Sequence, residues 1–348
     1  MNLENLEKIL KEKNQPKFRL QQIQKAIFQD GVSTWAEITT ISKDLREVLE
    51  KKMKILSFDI EKVLVSRDEN SMEALLKLSD GNLIESVLIS PKPGTWSVCV
   101  SCQVGCAMGC KFCATGKIGF KRDLTAEEIT DQILFWRQYL NKNLKLKIHD
   151  ISNIVYMGMG EPFNNWENVS KSIRILTDKN LFGFGSRSLS VSTSGIASGI
   201  EKMAQEFPQV NLAISLHFAD DKKRSLHMPF NKKDNLESLR KALQAYFQKT
   251  KRKVFLEYIM IDGVNDNAED AKMLADYIYS IGNVQLLHVN LIRYNATPET
   301  DSEGLKPSSK NQARFFKERL EKLHIKVTIR KSLGEEIQGA CGQLAGKS

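Results

Sequence analysis

Five of the six cysteines fall in one stretch, Cys99 to Gly116, which reads CVSCQVGCAMGCKFCATG, and the sixth, Cys341, stands near the end of the 348-residue chain. Five thiols so close together suit metal or redox chemistry better than a disulfide framework, which spreads its cysteines through a shorter, secreted domain. Cys106, Cys110 and Cys113 form a CxxxCxxC spacing with Phe112 just before the last cysteine. Three thiolates on one loop can hold three irons of a 4Fe–4S cluster and leave the fourth iron open to a small molecule. Zinc is the rival: it also favours thiolates, with Cys102 available as a fourth ligand, but a structural zinc site commonly shows paired CxxC knuckles and this chain has no second pair. The spacing, Phe112 and the place of the loop after an apolar strand favour the cluster.

The elements that must position this loop come next. Leu20, Ile23, Ile27 and Leu45, Val48, Leu49 recur at helical spacing, which predicts helices over 3–12, 18–29 and 42–54, the last capped by Ser42. Strands are expected over 58–66 and 72–89, turning at Asp80-Gly81-Asn82. Glu85 lies in the second of these, and strand alternation predicts a solvent-facing carboxylate. Pro91-Lys92-Pro93-Gly94 punctuates the chain and divides a small N-terminal accessory domain, residues 1–94, from a second domain, 95–348.

From Thr95 onward, β-rich runs at 96–101, 151–157, 188–192, 210–216, 253–261 and 286–293 alternate with helical patterns, one of them opened by the capping box Thr125–Glu128. Repeated βα units imply an α/β fold with a parallel sheet, either open and doubly wound or a partial TIM-type (βα)6 barrel. Chemically distinctive residues follow five of the strands: the cysteine loop, Gly158-Met159-Gly160-Glu161, Ser192-Thr193-Ser194-Gly195, Ser215-Leu216-His217 and Arg293-Tyr294-Asn295. Each alone reads as an ordinary turn; together they meet at the C-terminal ends of the strands, where parallel barrels place their sites.

Composition sets the outer bounds. The chain has 51 Lys and Arg against 42 Asp and Glu, a net charge of +9, which suits a polyanionic partner or a solvated basic surface. The basic residues cluster at Lys51, Lys52 and Lys54; Lys117, Lys121 and Arg122; Lys142, Lys145 and Lys147; and Lys249, Lys251, Arg252 and Lys253. No apolar run reaches membrane-spanning length and the start lacks the pattern of a signal peptide, so the expectation is a cytoplasmic protein with no membrane partner.

VGCAMGCKFCATG, VYMGMGEPFNN, SVSTSGI, LAISLH, EYIMIDGVND, VNLIRYN and ACGQLAG occur in this order, and together they resemble the RlmN/Cfr family of radical S-adenosylmethionine (SAM) RNA adenine methyltransferases. The resemblance implies the partial barrel of the radical SAM type, with the helical N-terminal region and its β extension as an RNA-docking domain. It implies a 4Fe–4S cluster on Cys106, Cys110 and Cys113, and two SAM molecules per turnover. Gly160, Glu161, Ser192, Ser215, Leu216, His217 and Asn295 match the SAM-contacting positions. Cys341 matches the methyl-carrying cysteine, Cys99 the resolving cysteine and Glu85 the proton acceptor.

Adenine C2 lies between two ring nitrogens and is too electron-poor to attack a methyl donor, so the family route is indirect. A cysteine takes a methyl group from one SAM. A second SAM generates a radical that removes hydrogen from that methyl, and the carbon radical then adds to the adenine. The second cysteine releases the methylated RNA and leaves a disulfide, here between Cys99 and Cys341. The implied partners are 23S rRNA, tRNA and an electron donor such as a flavodoxin-type protein, with no role for DNA. GEPFNN, with Pro162, and ACGQLAG resemble the C2-methylating RlmN branch, whereas LLHVNLIRYNAT resembles the branch that methylates C8 and confers antibiotic resistance. The expectation is C2 methylation, with C8 as the alternative and a zinc-stabilised, non-catalytic RNA-binding protein as the alternative of another class. Cys102 departs from the family, whose members usually carry serine there, and reads as a neutral replacement.

Overall fold

Side-chain oxygens of Ser42, Thr125, Asp220, Asn235, Asn267 and Ser309 each accept an amide of a helix's first turn, so sequence-local chemistry starts most of the long helices. In the computed structural model, which describes every residue except 93, 144–149, 332 and 347–348, the chain opens with α1 (Leu3–Glu12), α2 (Phe18–Gln24) and α3 (Lys43–Lys52). The helix expected over 18–29 widens into a π turn at Lys25–Gln29.

Three antiparallel strands follow, β1 (Phe58–Val65), β2 (Ser71–Leu78) and β3 (Leu83–Lys92), and then β4 (Thr95–Cys99), which pairs antiparallel with β3. The cysteine loop carries a short hairpin, β5 (Gln103–Gly105) and β6 (Phe120–Asp123), around α4 (Ala114–Lys117). The βα rhythm then runs α5 (Ala126–Lys142), β7 (Ile151–Tyr156), α6 (Trp166–Thr177), β8 (Leu189–Thr193), α7 (Ala197–Glu206), β9 (Asn211–Ser215), α8 (Asp221–His227), α9 (Leu236–Lys249), β10 (Val254–Met260), α10 (Ala268–Ile281), β11 (Leu287–Arg293), α11 (Lys310–Lys322) and β12 (Val327–Ile329).

Ten strands form one sheet in the order β1-β2-β3-β4-β7-β8-β9-β10-β11-β12. From β4 to β12 all neighbours are parallel, and β1 and β12 are the edges, so the parallel strands make an unclosed barrel. The six parallel strands expected from the sequence are present; β12 is a seventh, three residues long and too short to show a pattern. The division expected at residue 94 falls at the β3–β4 hairpin, and ladder hydrogen bonding continues across it. The antiparallel strands therefore extend the barrel sheet.

α5 is the post on which the N-terminal helices lean. It is buried on nearly all sides; Trp136 Nε1 donates to Ser86 Oγ at 3.0 Å, Gln138 Nε2 to the Val32 carbonyl at 2.9 Å, and the Ser57 amide to Asp131 Oδ2 at 2.9 Å. One apolar core runs from these helices through the sheet to α11. A smaller core, with Cys106, Cys110, Phe112, Phe218, Met228 and Ile259, backs the cysteine loop. Among the described residues no helix is long and apolar enough to cross a membrane.

Candidate active site

The turn after β7 holds the cysteine loop in place. A Cβ on Gly158 would stand 2.7 Å from the Val100 carbonyl, and one on Gly160, at φ +105°, would stand 2.6 Å from the Gln103 side chain, so only glycine fits either place. Gln103 Oε1 then accepts the Glu161 amide at 2.8 Å. The Glu161 carboxylate is buried; it accepts the amides of Ser194 at 2.7 Å and Phe163 at 3.1 Å, which ties the end of β7 to the end of β8. Burial raises its pKa, opposed by the hydrogen bonds from Ser194 and Phe163.

Arg224 of α8 is fully buried and pins the next strand ends. It donates to the carbonyls of Ser194 at 2.6 Å, Leu216 at 3.1 Å and Ser215 at 3.4 Å, and to Asn231 Oδ1 at 2.5 Å. His217 follows β9 with φ +58° and accepts the Ile259 amide on Nδ1 at 3.1 Å, which leaves the ring hydrogen on Nε2. Burial, with Arg224 nearby, pushes its pKa down to about 3, so the ring stays neutral through the physiological range. Phe112 meets its edge at 5.0 Å.

These residues wall a cavity of about 150 Å³, lined by Cys106, Cys110 and Cys113 together with Gly160, Glu161, Ser192, Ser215 and His217. Most of the expected SAM-side residues thus converge on the three thiols. Leu216 does not line the cavity; its side chain is buried in the main core, and its carbonyl serves Arg224. Asn295 stands beside a second cavity, and its Nδ2 donates to the Cys341 carbonyl at 3.1 Å. Cys102 lines neither cavity and is buried in the main core, while its carbonyl accepts Asn165 Nδ2 at 2.7 Å.

Burial pushes the Cys106 thiol up to about 12 and the Cys110 thiol well above its usual range, so thiolates here call for a cationic partner. Among the described residues no three Cys, His, Asp or Glu side chains converge closely enough for a single ion. Three separated thiols around one cavity fit the donor set of a multi-iron cluster.

The second cavity, about 450 Å³, is lined by Cys99, Asn70, Ser90, Asn295, Thr328 and Lys331 among others. Met157, Ile292, Arg330 and Cys341 line both cavities and form the wall between them. Among the described residues Cys341 is therefore the only cysteine that lines both cavities, and Cys99, 242 positions earlier, shares the second with it. Both thiols are free. Burial pushes Cys99 up to about 12, and the neighbouring Cys341 adds to this.

The tail is held on several sides. The Ala114 amide donates to the Gly342 carbonyl at 2.8 Å and Thr115 Oγ1 to the Leu344 carbonyl at 2.6 Å. Glu85 is buried, contrary to the solvent-facing expectation: the tail lies over its face of β3, and its two oxygens accept the amides of Ala345 and Gly346, each at 2.9 Å. It lines neither cavity.

Arg330 and Glu257 were not singled out from the sequence. Glu257 interrupts the apolar strand VFLEYIM, and Arg330 follows the short β12; an acid inside such a run was the available signal. Buried Glu257 accepts Asn290 Nδ2 at 2.9 Å and Arg330 at 3.3 Å. The Cys341 side chain is open to the cavities but walled by protein. That setting raises its thiol pKa, and the Arg330 charge opposes the rise. Arg330→Gln is expected to move the alkylation midpoint of Cys341 upward in pH, read by mass spectrometry of the tail peptide after iodoacetamide pulses; an unmoved midpoint would refute this role.

Of the basic clusters, Arg122 is engaged by Asp80 at 2.5 Å and Glu128 at 2.8 Å, and Lys117 by Glu303, whereas Lys145 and Lys147 lie outside the described residues.

Residues 100–275 match the radical SAM superfamily, and residues 1–55 match the ribosomal RNA large subunit methyltransferase N-terminal domain. The chain is 39% identical over 344 residues, 98% of its length and 95% of the other, to "Ribosomal RNA large subunit methyltransferase Cfr" of Bacillus velezensis. It is 40% identical over 347 residues, 100% of its length and 97% of the other, to "Probable dual-specificity RNA methyltransferase RlmN" of a Thermoanaerobacter species. Among solved structures, a radical SAM methyltransferase from Sphaerobacter thermophilus superposes with a TM-score of 0.90 at 35% identity, covering 100% of this chain and 98% of that one.

Proposed function

The chain belongs to the radical SAM rRNA methyltransferases of the Cfr and RlmN type, and from that premise we propose that it methylates C2 of one adenine in 23S rRNA and of the adenine that follows the tRNA anticodon. The observation that carries the reading is the position of Cys341 in a wall shared by two cavities, one ringed by three thiols and the other lined by Cys99. Family membership removes the non-catalytic zinc reading.

Cys106, Cys110 and Cys113 would hold the 4Fe–4S cluster, and Gly160, Glu161, Ser192, Ser215 and His217, with Leu216 and Asn295 at its margins, would bind SAM. When bound, this pair supplies the methyl group and the one-electron chemistry. Glu161, whose carboxylate accepts the amides of Ser194 and Phe163, would receive the ligand ammonium, and neutral His217 would offer Nε2–H to an acceptor. Cys341 takes the methyl group and becomes the point at which protein and adenine join. Cys99 attacks the Cys341 sulfur to release the product; its own deprotonation becomes easier once Cys341 is alkylated and carries no charge. Glu85 takes the ring proton, for which the amides of Ala345 and Gly346 must first release its carboxylate. Residues 1–94 serve RNA docking, and a flavodoxin-type protein supplies electrons.

C2 is favoured by GEPFNN and ACGQLAG. The second reading, C8, has its own support: LLHVNLIRYNAT resembles that branch, and relatives named Cfr and RlmN are equally similar, at 39% and 40% identity. Expression in a host lacking both modifications, followed by digestion of rRNA and tRNA and mass analysis, is expected to yield 2-methyladenosine in both. 8-Methyladenosine would establish the second reading, and neither product would refute the assignment.

A further inference from the structure

Two carboxylates lie on one face of the sheet beneath the tail. In the β2–β3 register Glu73 stands opposite Val87, and Leu75 opposite Glu85. Direct opposites share a face and alternate residues return to it, so Glu73 and Glu85 are diagonal neighbours. Glu85 is engaged by the tail amides already described. Glu73 is 8% exposed, and its Oε2 has no hydrogen-bond partner among the described residues. It lies under Gly339, where an added Cβ would stand 3.3 Å from that oxygen and 3.4 Å from Val87. Segment 339–346 thus crosses Glu73 at one end and Glu85 at the other, with Cys341 between them.

The charged groups that face Glu73 are Glu85 from β3 and Lys62 from β1, while tail residues 338–346, Gln-Gly-Ala-Cys-Gly-Gln-Leu-Ala-Gly, carry no charged side chain. Nearby Glu336 is engaged by Arg67, whose amide donates to it at 2.6 Å. Burial first, and then the Glu85 charge, push the Glu73 carboxyl up to about 8, with Lys62 opposing. An unpartnered carboxylate in such a place is costly to ionise, whereas a carboxylic acid is not.

We propose that Glu73 is a positioning residue for the tail: it keeps a proton beside Glu85, so that the pair sets one negative charge and not two beneath segment 339–346, and loss of that proton unseats the segment. The importance of this seat for methyl transfer rests on the reading of Cys341 as the carrier; the seating itself does not. The folded state binds this proton more tightly than the unfolded chain, in which glutamate titrates near its ordinary 4.5. The seat is therefore fully stabilised below that value, weakens as pH rises across the window, and loses the whole contribution above about 8.

The test is hydrogen–deuterium exchange of tail peptides in the full chain between pH 6.5 and 9.5, corrected for intrinsic exchange rates. Wild type is expected to lose protection in residues 339–346 by up to about tenfold per pH unit from pH 6.5 to about 8 and to level off above it. Glu73→Gln, which mimics the protonated form, is expected to keep its protection throughout. Lys62→Met, at an exposed position, is expected to move the wild-type loss upward in pH. A wild-type profile without the step, a Glu73→Gln profile that retains it, or a Lys62→Met profile that does not shift would each overturn the proposal. Because exchange is read on the tail and not on RNA, a failed seat and a failed carrier assignment give different results.

Discussion

Replacing Cys341 by alanine is expected to abolish adenine methylation, with product at or below detection. Loss of a nucleophile that forms a covalent intermediate costs on the order of 10⁶ in rate in enzymes that retain a fallback path. Here, among the described residues, no other cysteine lines both cavities, so no fallback is at hand. The change is not expected to disturb the fold: the side chain is exposed, and the tail is held through the carbonyls of Cys341, Gly342 and Leu344 and the amides of Ala345 and Gly346. Its stability should lie within about 0.5 kcal/mol of wild type. Cys99→Ala is expected to behave differently. Joining of Cys341 to adenine survives but release does not, so a protein–RNA adduct accumulates to about one equivalent and is visible as a denaturant-resistant band. Wild-type product levels from Cys341→Ala, or free methylated RNA from Cys99→Ala, would sink the two-thiol scheme.

Arg224→Met is expected to give the largest loss of stability. The guanidinium is fully buried, and its partners are backbone carbonyls and the Asn231 side chain. Methionine fills much of the volume but leaves the Ser194 carbonyl and Asn231 Oδ1 facing a methyl group, and buried acceptors without donors cost about 1–3 kcal/mol each. A loss of about 3–5 kcal/mol follows, measurable by chemical denaturation. Affinity for SAM should fall with it, because Arg224 joins the ends of β8 and β9, and Ser192, Ser215 and His217 lie beside those ends. Leu226→Ala, two residues further along α8 and 59% exposed, serves as the control and should change stability by less than about 0.5 kcal/mol. A loss below about 1 kcal/mol in Arg224→Met would refute the pinning role.

What was legible in the sequence had local causes. The six longer parallel strands announce themselves as apolar runs, and the polar residues that follow them mark one end of the sheet. The three ring cysteines and the caps of α3 and α5 are likewise local. What was not legible depends on distant chain. Strand alternation gives Glu85 a face, but the tail that covers that face arrives 260 residues later. The same cover buries Glu73, which an alternation argument would leave in solvent. Arg330 acquires its meaning only when β12 joins β11 and brings it against Glu257. Cys102 shows the converse: it lies three residues from Cys99 and four from Cys106, yet its side chain belongs to the core and not to either cavity.

The wall position of Cys341 also bears on timing. Its carbonyl is tied to Asn295 and the next residue's carbonyl to Ala114, so the freedom left to the thiol is rotation about its own Cα–Cβ bond. That bond has three staggered wells, and an exposed side chain hops among them in picoseconds to nanoseconds. Enzymes typically turn over about ten times per second, at least about eight orders of magnitude more slowly. If Cys341 carries the methyl group as proposed, a carrier that faces two chambers by spinning in place, with no swinging arm, adds nothing to the length of a cycle. On that reading the clock is set by steps that form a thiolate, move the backbone or let the RNA go.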